Sequence, residues 1–406
     1  MVFEDVVVLL GRDLEAFRCA RFEIADGKVV DVDRLEPVHQ LEQGGRVIIP
    51  GLINAHTHMG DSFLPDGATG MTLEEGFFRP NGYKYRQLAA VDPEEHLPHV
   101  VAHLKYMARS GTVCHIDFRE QGLHGCQLLR EASKRSGVRS MILGQFAELP
   151  FTAEELRESK KELSESAESE LRGVLGVADG FSESTMNDLT CPSWKRIREI
   201  TEELGKYRAI HCLENEGYRD ESLKNTGRGD LERAINDLDP DLIIHLTVAN
   251  AEEIKLLVDS QKTGVLNPRA NANLGLPLPP IKALLDAGAN LLLGTDNGLL
   301  NSPNMLAELD FTYKVTKSQY ADSRFPNPVD ILKMATSNAE AVFGVALPGY
   351  LEVGLPASFA VLDFDRLHLR RSRNLHASIL TRVTPEDVLA TYRDGVEIYS
   401  CPEASA

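Results

Sequence analysis

Apolar and polar positions follow two different patterns along the chain. Over residues 1–48 short apolar runs alternate with turns: Val6-Val7-Val8-Leu9-Leu10, Arg21-Phe22-Glu23-Ile24 and Lys28-Val29-Val30-Asp31-Val32. The last two flank Asp26-Gly27, and Asp-Gly between extended runs signals a hairpin. No helical period appears there, so a small β region is expected. From Val47 onward, apolar runs of strand length are separated by segments with helical signals. The first is Val47-Ile48-Ile49-Pro50-Gly51-Leu52-Ile53-Asn54-Ala55-His56-Thr57-His58. Others follow at 111–118, 140–146, 174–179, 209–214, 241–247, 264–267 and 291–296, which makes eight.

Helix signals lie between the strands. Asn250 and Glu253 have capping-box spacing before Ile254-Lys255-Leu256-Leu257. Gly288 is placed to stop the segment that starts at Ile281. Eight strand–helix repeats within about 300 residues are what a (β/α)8 TIM barrel requires. A doubly wound open sheet is the alternative, but no G-x-G-x-x-G or P-loop follows any of the strands. Extended segments return at 358–362 and 391–399 and are expected to pair with the N-terminal ones. The expected organisation is thus α/β: a small β-sandwich domain from residues 1–48 and 347–406, and a barrel catalytic domain over 49–346. The charged run 153–171 reads as a solvated surface helix.

Composition narrows the function classes. A chain of 406 residues has room for a large domain and a small one. With 43% apolar and 26% charged residues it is globular, with no run long enough to cross a bilayer. The start Met1-Val2-Phe3-Glu4-Asp5 lacks the basic segment of a signal peptide, so the cytoplasm is the expected compartment. A net charge of −18 argues against nucleic acid and anionic membrane as partners. The six cysteines show no C-x-x-C spacing and are expected as reduced thiols.

The candidate chemistry sits at strand ends. Residues two apart on a strand share a face, so His56 and His58 emerge together. In a barrel, the C-terminal ends of different strands converge on one rim. Those ends carry His56 and His58 on the first strand, His211 and then Glu214 on the fifth, His245 on the sixth and Asp296 on the eighth. Three imidazoles and a carboxylate suit Zn²⁺ or Fe²⁺. Each residue alone has an ordinary structural explanation; the coincidence of four strands does not. His211 and Glu214 can face one centre only if the chain turns at Leu213. His96, His99 and His103 share a helical face, but Pro98 interrupts it and a solvated face is expected there. His115 reads as a buried, hydrogen-bonded residue, and Cys212 as packing. Arg119 and Gln145, leaving the second and third strands, are the candidates to touch substrate.

The P-G-L-I-N-A-H-T-H ending, His211-Cys212-Leu213-Glu214, His245 and Gly294-Thr295-Asp296 resemble the amidohydrolase superfamily, in its branch of cytosine deaminase, guanine deaminase and triazine hydrolases. Asn267-Pro268-Arg269-Ala270-Asn271 and Gly349-Tyr350-Leu351-Glu352-Val353-Gly354 are similar to further motifs of that branch, so the resemblance spans essentially the whole chain. It implies His56, His58, His211 and Asp296 as metal ligands, Glu214 as proton shuttle, and His245 as the residue holding the attacking water or oxyanion. Two-metal members carry a carboxylated lysine on the fourth strand; residues 174–179 contain none, which points to one divalent ion, Zn²⁺ ahead of Fe²⁺. The implied activity is hydrolytic deamination of a small amino-substituted heterocycle (nucleobase, pterin or similar), with hydrolysis of a cyclic amide or ring halide as the alternative. The loop 61–85 lacks the R-G-x-x-D-D pattern of adenosyl-type deaminases, which argues against thioadenosine and adenosylhomocysteine. A homo-oligomer is an expectation that rests on the resemblance alone.

Overall fold

The computed structural model describes residues 1–402, and its strands fall into two sheets. In chain order they are β1 (Val2–Leu10), β2 (Glu15–Ala25), β3 (Lys28–Pro37), β4 (Arg46–Pro50), β5 (Leu52–His58), β6 (Thr112–Arg119), β7 (Arg139–Gly144) and β8 (Gly180–Glu183). Then come β9 (Tyr207–Cys212), β10 (Leu242–His245), β11 (Thr263–Leu266), β12 (Leu291–Leu293), β13 (Asp296–Asn297), β14 (Phe359–Asp363), β15 (Val388–Arg393) and β16 (Val396–Ser400).

The terminal sheet runs β16-β15-β14-β4-β1-β2-β3, so both ends of the chain build it. Asp26 (φ 50°) and Gly27 (φ 75°) join β2 to β3 with Ala25 opposite Lys28, the backbone a two-residue hairpin demands. The sandwich expected here is one continuous ladder curled over on itself. β2 and β14 stand three places apart, about 14 Å in a flat sheet. Yet the rings of Phe22 and Phe359 meet edge to face at 5.7 Å.

The second sheet runs β12-β11-β10-β9-β8-β7-β6-β5-β13. β12 and β13 are successive pieces of one strand broken at Gly294-Thr295, yet they lie at opposite ends of that order. Asp296 sits opposite Thr57 in a parallel pair, which closes the sheet into the expected (β/α)8 barrel. Ile53, Ile116, Phe118, Leu143, Ile244, Val265 and Leu292 fill its interior. The long apolar run at 47–58 serves both sheets: β4 pairs with β14, and β5 with β6. Gly51 stands between them, where a Cβ would lie 2.4 Å from the Val113 side chain.

One irregularity positions the chemistry. Asn54 pairs with His115, but Thr57 pairs with Asp117, so three steps on β5 match two on β6. Such a bulge reverses which face the following residues present. Below it Ile53 packs into the barrel interior. Above it His56 and His58 turn to that same interior, their rings 4.6 and 5.7 Å from Phe118.

Three expectations need correction. The fourth barrel strand is Gly180–Glu183, not 174–179; Val174 and Leu175 end the helix Glu165–Leu175 and pack outside the barrel. A short buried apolar run has no period of its own, so a helix end and a strand share the same pattern there. The fourth strand still holds no lysine. The charged run is two helices, Ala153–Glu158 and Glu165–Leu175, separated where Ser159 adopts φ 50°. Finally, Pro98 lies inside a continuous helix, Pro93–Arg109, and His96 is buried, its Nε2 2.6 Å from the Gly60 carbonyl. His115 and Cys212 are buried as expected; His115 bonds Thr57 and Ser140 at 2.8 and 2.6 Å. Among the described residues no helix is long and apolar enough to cross a membrane.

Candidate active site

Several barrel strands end by leaving the extended path sharply. Leu213 (φ 56°), His245 (φ 78°) and Asp296 (φ 63°) are all left-handed, a conformation costing on the order of 1–3 kcal/mol at a non-glycine residue. At Leu213 the turn is the one that His211 and Glu214 require, and its N–H donates to Asp230 Oδ2 at 2.8 Å. Gly294 lets the eighth strand approach the first: a Cβ there would lie 2.6 Å from His56 Cβ. Asn54 completes that junction, accepting from the Thr295 N–H at 3.0 Å and donating to the Thr295 hydroxyl at 2.7 Å.

These devices bring the expected residues together. His211 Nε2 lies 3.2 Å from His56 Nε2 and 3.4 Å from His58 Nε2. Asp296 Oδ1 is 3.2 Å from His56 Nε2 and 3.6 Å from His58 Nε2, and its Oδ2 is 4.0 Å from His245 Nε2. His245 Nε2 is also 3.5 Å from Glu214 Oε1. All six side chains are buried. Burial depresses His56 to about 3 and His211 well below the usual imidazole range, so both are neutral donors. Burial works against a charged Asp296, but the hydrogen bond from His56 and the neighbouring imidazoles hold its carboxyl below its ordinary value. The imidazole nitrogens that face each other at such distances do not satisfy one another. A divalent ion does satisfy them: the ligand atoms of His56, His58 and His211 lie within 4.8 Å of one another, as do those of His56, His245 and Asp296. Glu214 is different: burial and the Asp296 charge push its carboxyl up, which suits a group that exchanges protons near neutral pH.

Neighbours that the sequence did not single out hold this set. His58 Nδ1 is 2.8 Å from Glu120 Oε1, and Lys84 Nζ is 2.5 Å from the same oxygen. Asp61 accepts from Asn297 Nδ2 at 2.7 Å and from the Leu299 N–H at 3.0 Å, tying the loop after β5 to the eighth strand. Asn267, oriented with its oxygen inward, accepts the Nδ1–H of His245 at 3.3 Å. These contacts join residues distant in the chain, and no local spacing announces them.

The two substrate candidates part company. Arg119 is buried and turned away: Nε donates to the Gly125 carbonyl at 2.9 Å, and one terminal nitrogen donates to Gln121 Oε1 at 3.0 Å. Phe118, one residue earlier, takes the inward face against the imidazoles, so the structure places the Arg119 side chain away from them. Gln145 faces inward. At Gly144 a Cβ would point at Val174 and Cys126 of the helical layer, so its neighbours Leu143 and Gln145 point to the barrel interior. Both amide atoms of Gln145 are buried without a partner. Phe78 and Tyr218 stack at 5.1 Å, linking the loop after β5 to the helix that follows Glu214.

Behind the seventh strand, burial pushes the carboxyl of Glu308 up to about 7, although it accepts the Arg269 N–H at 3.1 Å. An acid raised on folding leaves the native state with more bound protons than the unfolded chain, so stability falls as pH rises from about 4.5 to 7. Glu308→Gln is expected to be more stable than the parent at pH 8, by about 3 kcal/mol at most, and to lose that advantage at pH 4.5. Thermal melts at the two pH values check it.

A cavity of about 450 Å³ lined by Arg12, Asn290, Lys333 and Glu340 lies at the other mouth of the barrel, where Asn290 leads into β12. Its cations are paired, Arg12 with Glu340 and Lys333 with Asp13, and the imidazole rim is elsewhere.

Comparison with known proteins agrees with this geometry. A protein of Methanothermobacter thermautotrophicus, whose name provisionally assigns it to the aminohydrolases, is 34% identical over 391 residues, 96% of each chain. A 5-methylthioadenosine/S-adenosylhomocysteine deaminase of Caldanaerobacter subterraneus is 26% identical over 366 residues, covering 86% of this chain and 80% of the relative. The zinc-bound crystal structure of an adenosine deaminase from Xanthomonas campestris superimposes with a TM-score of 0.77 at 20% identity, over 97% of this chain and 92% of the other. Residues 47–398 match the family described as the amidohydrolase family, so that the chain belongs to the amidohydrolases.

Proposed function

We propose that the protein is a hydrolytic deaminase of an amino-substituted heterocycle, working with one divalent ion, zinc, held by His56, His58, His211 and Asp296. The observation that carries this reading is a pair of buried groups that share His56, one with His58 and His211 and the other with His245 and Asp296, with Glu214 beside His245. A zinc-bound structural neighbour and deaminase names among the relatives support it. The fourth strand, G-F-S-E, offers no lysine to bridge a second ion.

A divalent ion bound there lowers the pKa of a water molecule towards neutrality, so that a nucleophile is available at pH 7. Asp296 takes the proton of the attacking water. Glu214 protonates the ring nitrogen next to the attacked carbon and, later in the cycle, hands on the proton that lets ammonia leave. His245, its Nδ1–H held by Asn267, presents Nε2 to accept from the attacking water and so orients it. Water in, ammonia out and C–NH2 to C=O balance the reaction. Gln145, with one donor and one acceptor unpartnered, reads the far edge of the ring. The barrel over 49–346 is the catalytic unit, and the terminal sheet domain of residues 1–48 and 347–406 braces it through its described part, residues 403–406 lying outside the described residues.

The test is a metal analysis followed by an ammonia-release screen over amino-purines, pyrimidines, pterins, triazines and adenosyl compounds, the last because a relative carries that name. Ring opening or halide release without ammonia sinks the deaminase reading. Gln145→Ala is expected to keep its metal and lower kcat/KM about 10- to 100-fold, read from initial rates on the best substrate.

A further inference from the structure

Behind the metal centre lies an arrangement that the proposed chemistry does not use. Lys84 belongs to the helix Tyr83–Ala90 in the loop after β5, and it is only 2% exposed. Its Nζ lies 2.5 Å from Glu120 Oε1, 3.2 Å from His58 Nδ1 and 3.9 Å from Asp61 Oδ2. Glu120, 1% exposed, also receives His58 Nδ1 on that same Oε1 at 2.8 Å.

Stability alone does not account for burying these charges, since buried ion pairs are often no better than apolar residues of similar volume. The orientation of His58 supplies a reason. Its Nε2 faces His211 and Asp296, so a neutral ring that offers Nε2 to an ion carries its proton on Nδ1 and donates it to Glu120. A carboxylate in that place strengthens the imidazole as a ligand. The Lys84 ammonium crowds the same oxygen and draws on the same negative charge. It cannot also donate to a protonated Nδ1, so its closeness to His58 reflects two donors gathered round one acceptor.

We infer that Lys84 is a positioning residue for the metal centre: carried in by the loop after β5, its ammonium shares Glu120 with His58 and thereby sets how tightly His58 holds a divalent ion. This rests on His58 being a ligand, as proposed above. Arg119, whose nearest terminal nitrogen is 3.5 Å from Glu120 Oε2, is the weaker second cation.

The experiment is competition of the full-length protein against a chromophoric chelator for Zn²⁺, with visible spectra of the Co²⁺ form. Glu120→Gln is expected to weaken zinc binding about 10- to 100-fold. Lys84→Met leaves the carboxylate unshared and is expected to tighten binding roughly tenfold and shift the cobalt bands, while Lys84→Arg behaves as the parent. The double variant Lys84→Met/Glu120→Gln should match Glu120→Gln alone. If Lys84→Met does not fold, Lys84→Gln supplies the neutral side chain. A pair that merely props the fold weakens zinc in both single variants, and that result overturns the inference, as does zinc affinity indifferent to either change. Absence of stoichiometric zinc from the parent protein overturns the reading of His58 as well; zinc bound but indifferent to Lys84 overturns this inference alone.

Discussion

Glu214→Gln is expected to keep stoichiometric metal and to lose turnover by about 10²- to 10⁴-fold, the usual contribution of a positioned acid–base group. The carboxyl is buried beside His245 Nε2 at 3.5 Å but lies outside the four-ligand set, so an amide of the same shape disturbs no ligand. What it removes is the exchangeable proton, which burial and the Asp296 charge have moved up towards working pH. Metal content and kcat measured on one preparation test both halves. Full activity removes Glu214 from the proton path; lost metal means that it is a ligand after all.

Asp296→Asn is expected to cost more, because one residue has two tasks in the proposed reaction. The carboxylate supplies the one negative charge among the ligands and the base for the attacking water, and it reaches His56, His58 and His245 at once, at 3.2, 3.6 and 4.0 Å. The amide keeps an oxygen but loses charge and basicity. Turnover should fall by at least about 10³-fold, with metal lost to a chelator that leaves the parent loaded. Residues acting as a unit are not additive, so adding Glu214→Gln to Asp296→Asn should lower the rate little further. A double variant worse by the full product of the single effects shows that the two act in separate steps.

The relatives bear on substrate in a specific way. The loop after β5 lacks the R-G-x-x-D-D pattern, yet a relative named for thioadenosine and adenosylhomocysteine shares 26% of its residues across 86% of this chain. In the structure the same loop sends Phe78 to stack on Tyr218, Lys84 behind His58, and Asp61 to the eighth strand. It thus builds the wall of the site as well as its cover.

The chain's own pattern was enough to bring most of the candidate site together. Alternating strand and helix signals imply a closed barrel, and a barrel collects strand ends, so the proximity of His56, His58, His211, Glu214, His245 and Asp296 could be read from spacing, while their proposed roles rest on the family resemblance. The required turn at Leu213 also followed, because His211 and Glu214 have opposite parity. Local pattern failed where period was missing or where contacts are long-range. Residues 174–179 read as the fourth strand because a buried helix end and a buried strand look alike over six residues; the true strand, Gly180–Glu183, has too few residues to announce itself. Arg119 and Gln145 both leave strand ends, and only side-chain direction separates them, one tied to Gly125 and the other open to the barrel interior. The bulge between Asn54 and Thr57, which swings both first-strand histidines inward, exists only as a mismatch with β6. Lys84 and Glu120 meet across 36 residues because the loop after β5 folds back over the rim. A sequence carries its periodicities and its chemistry in order; which way a side chain faces, and what stands behind it, is settled when strands choose their register and loops close over them.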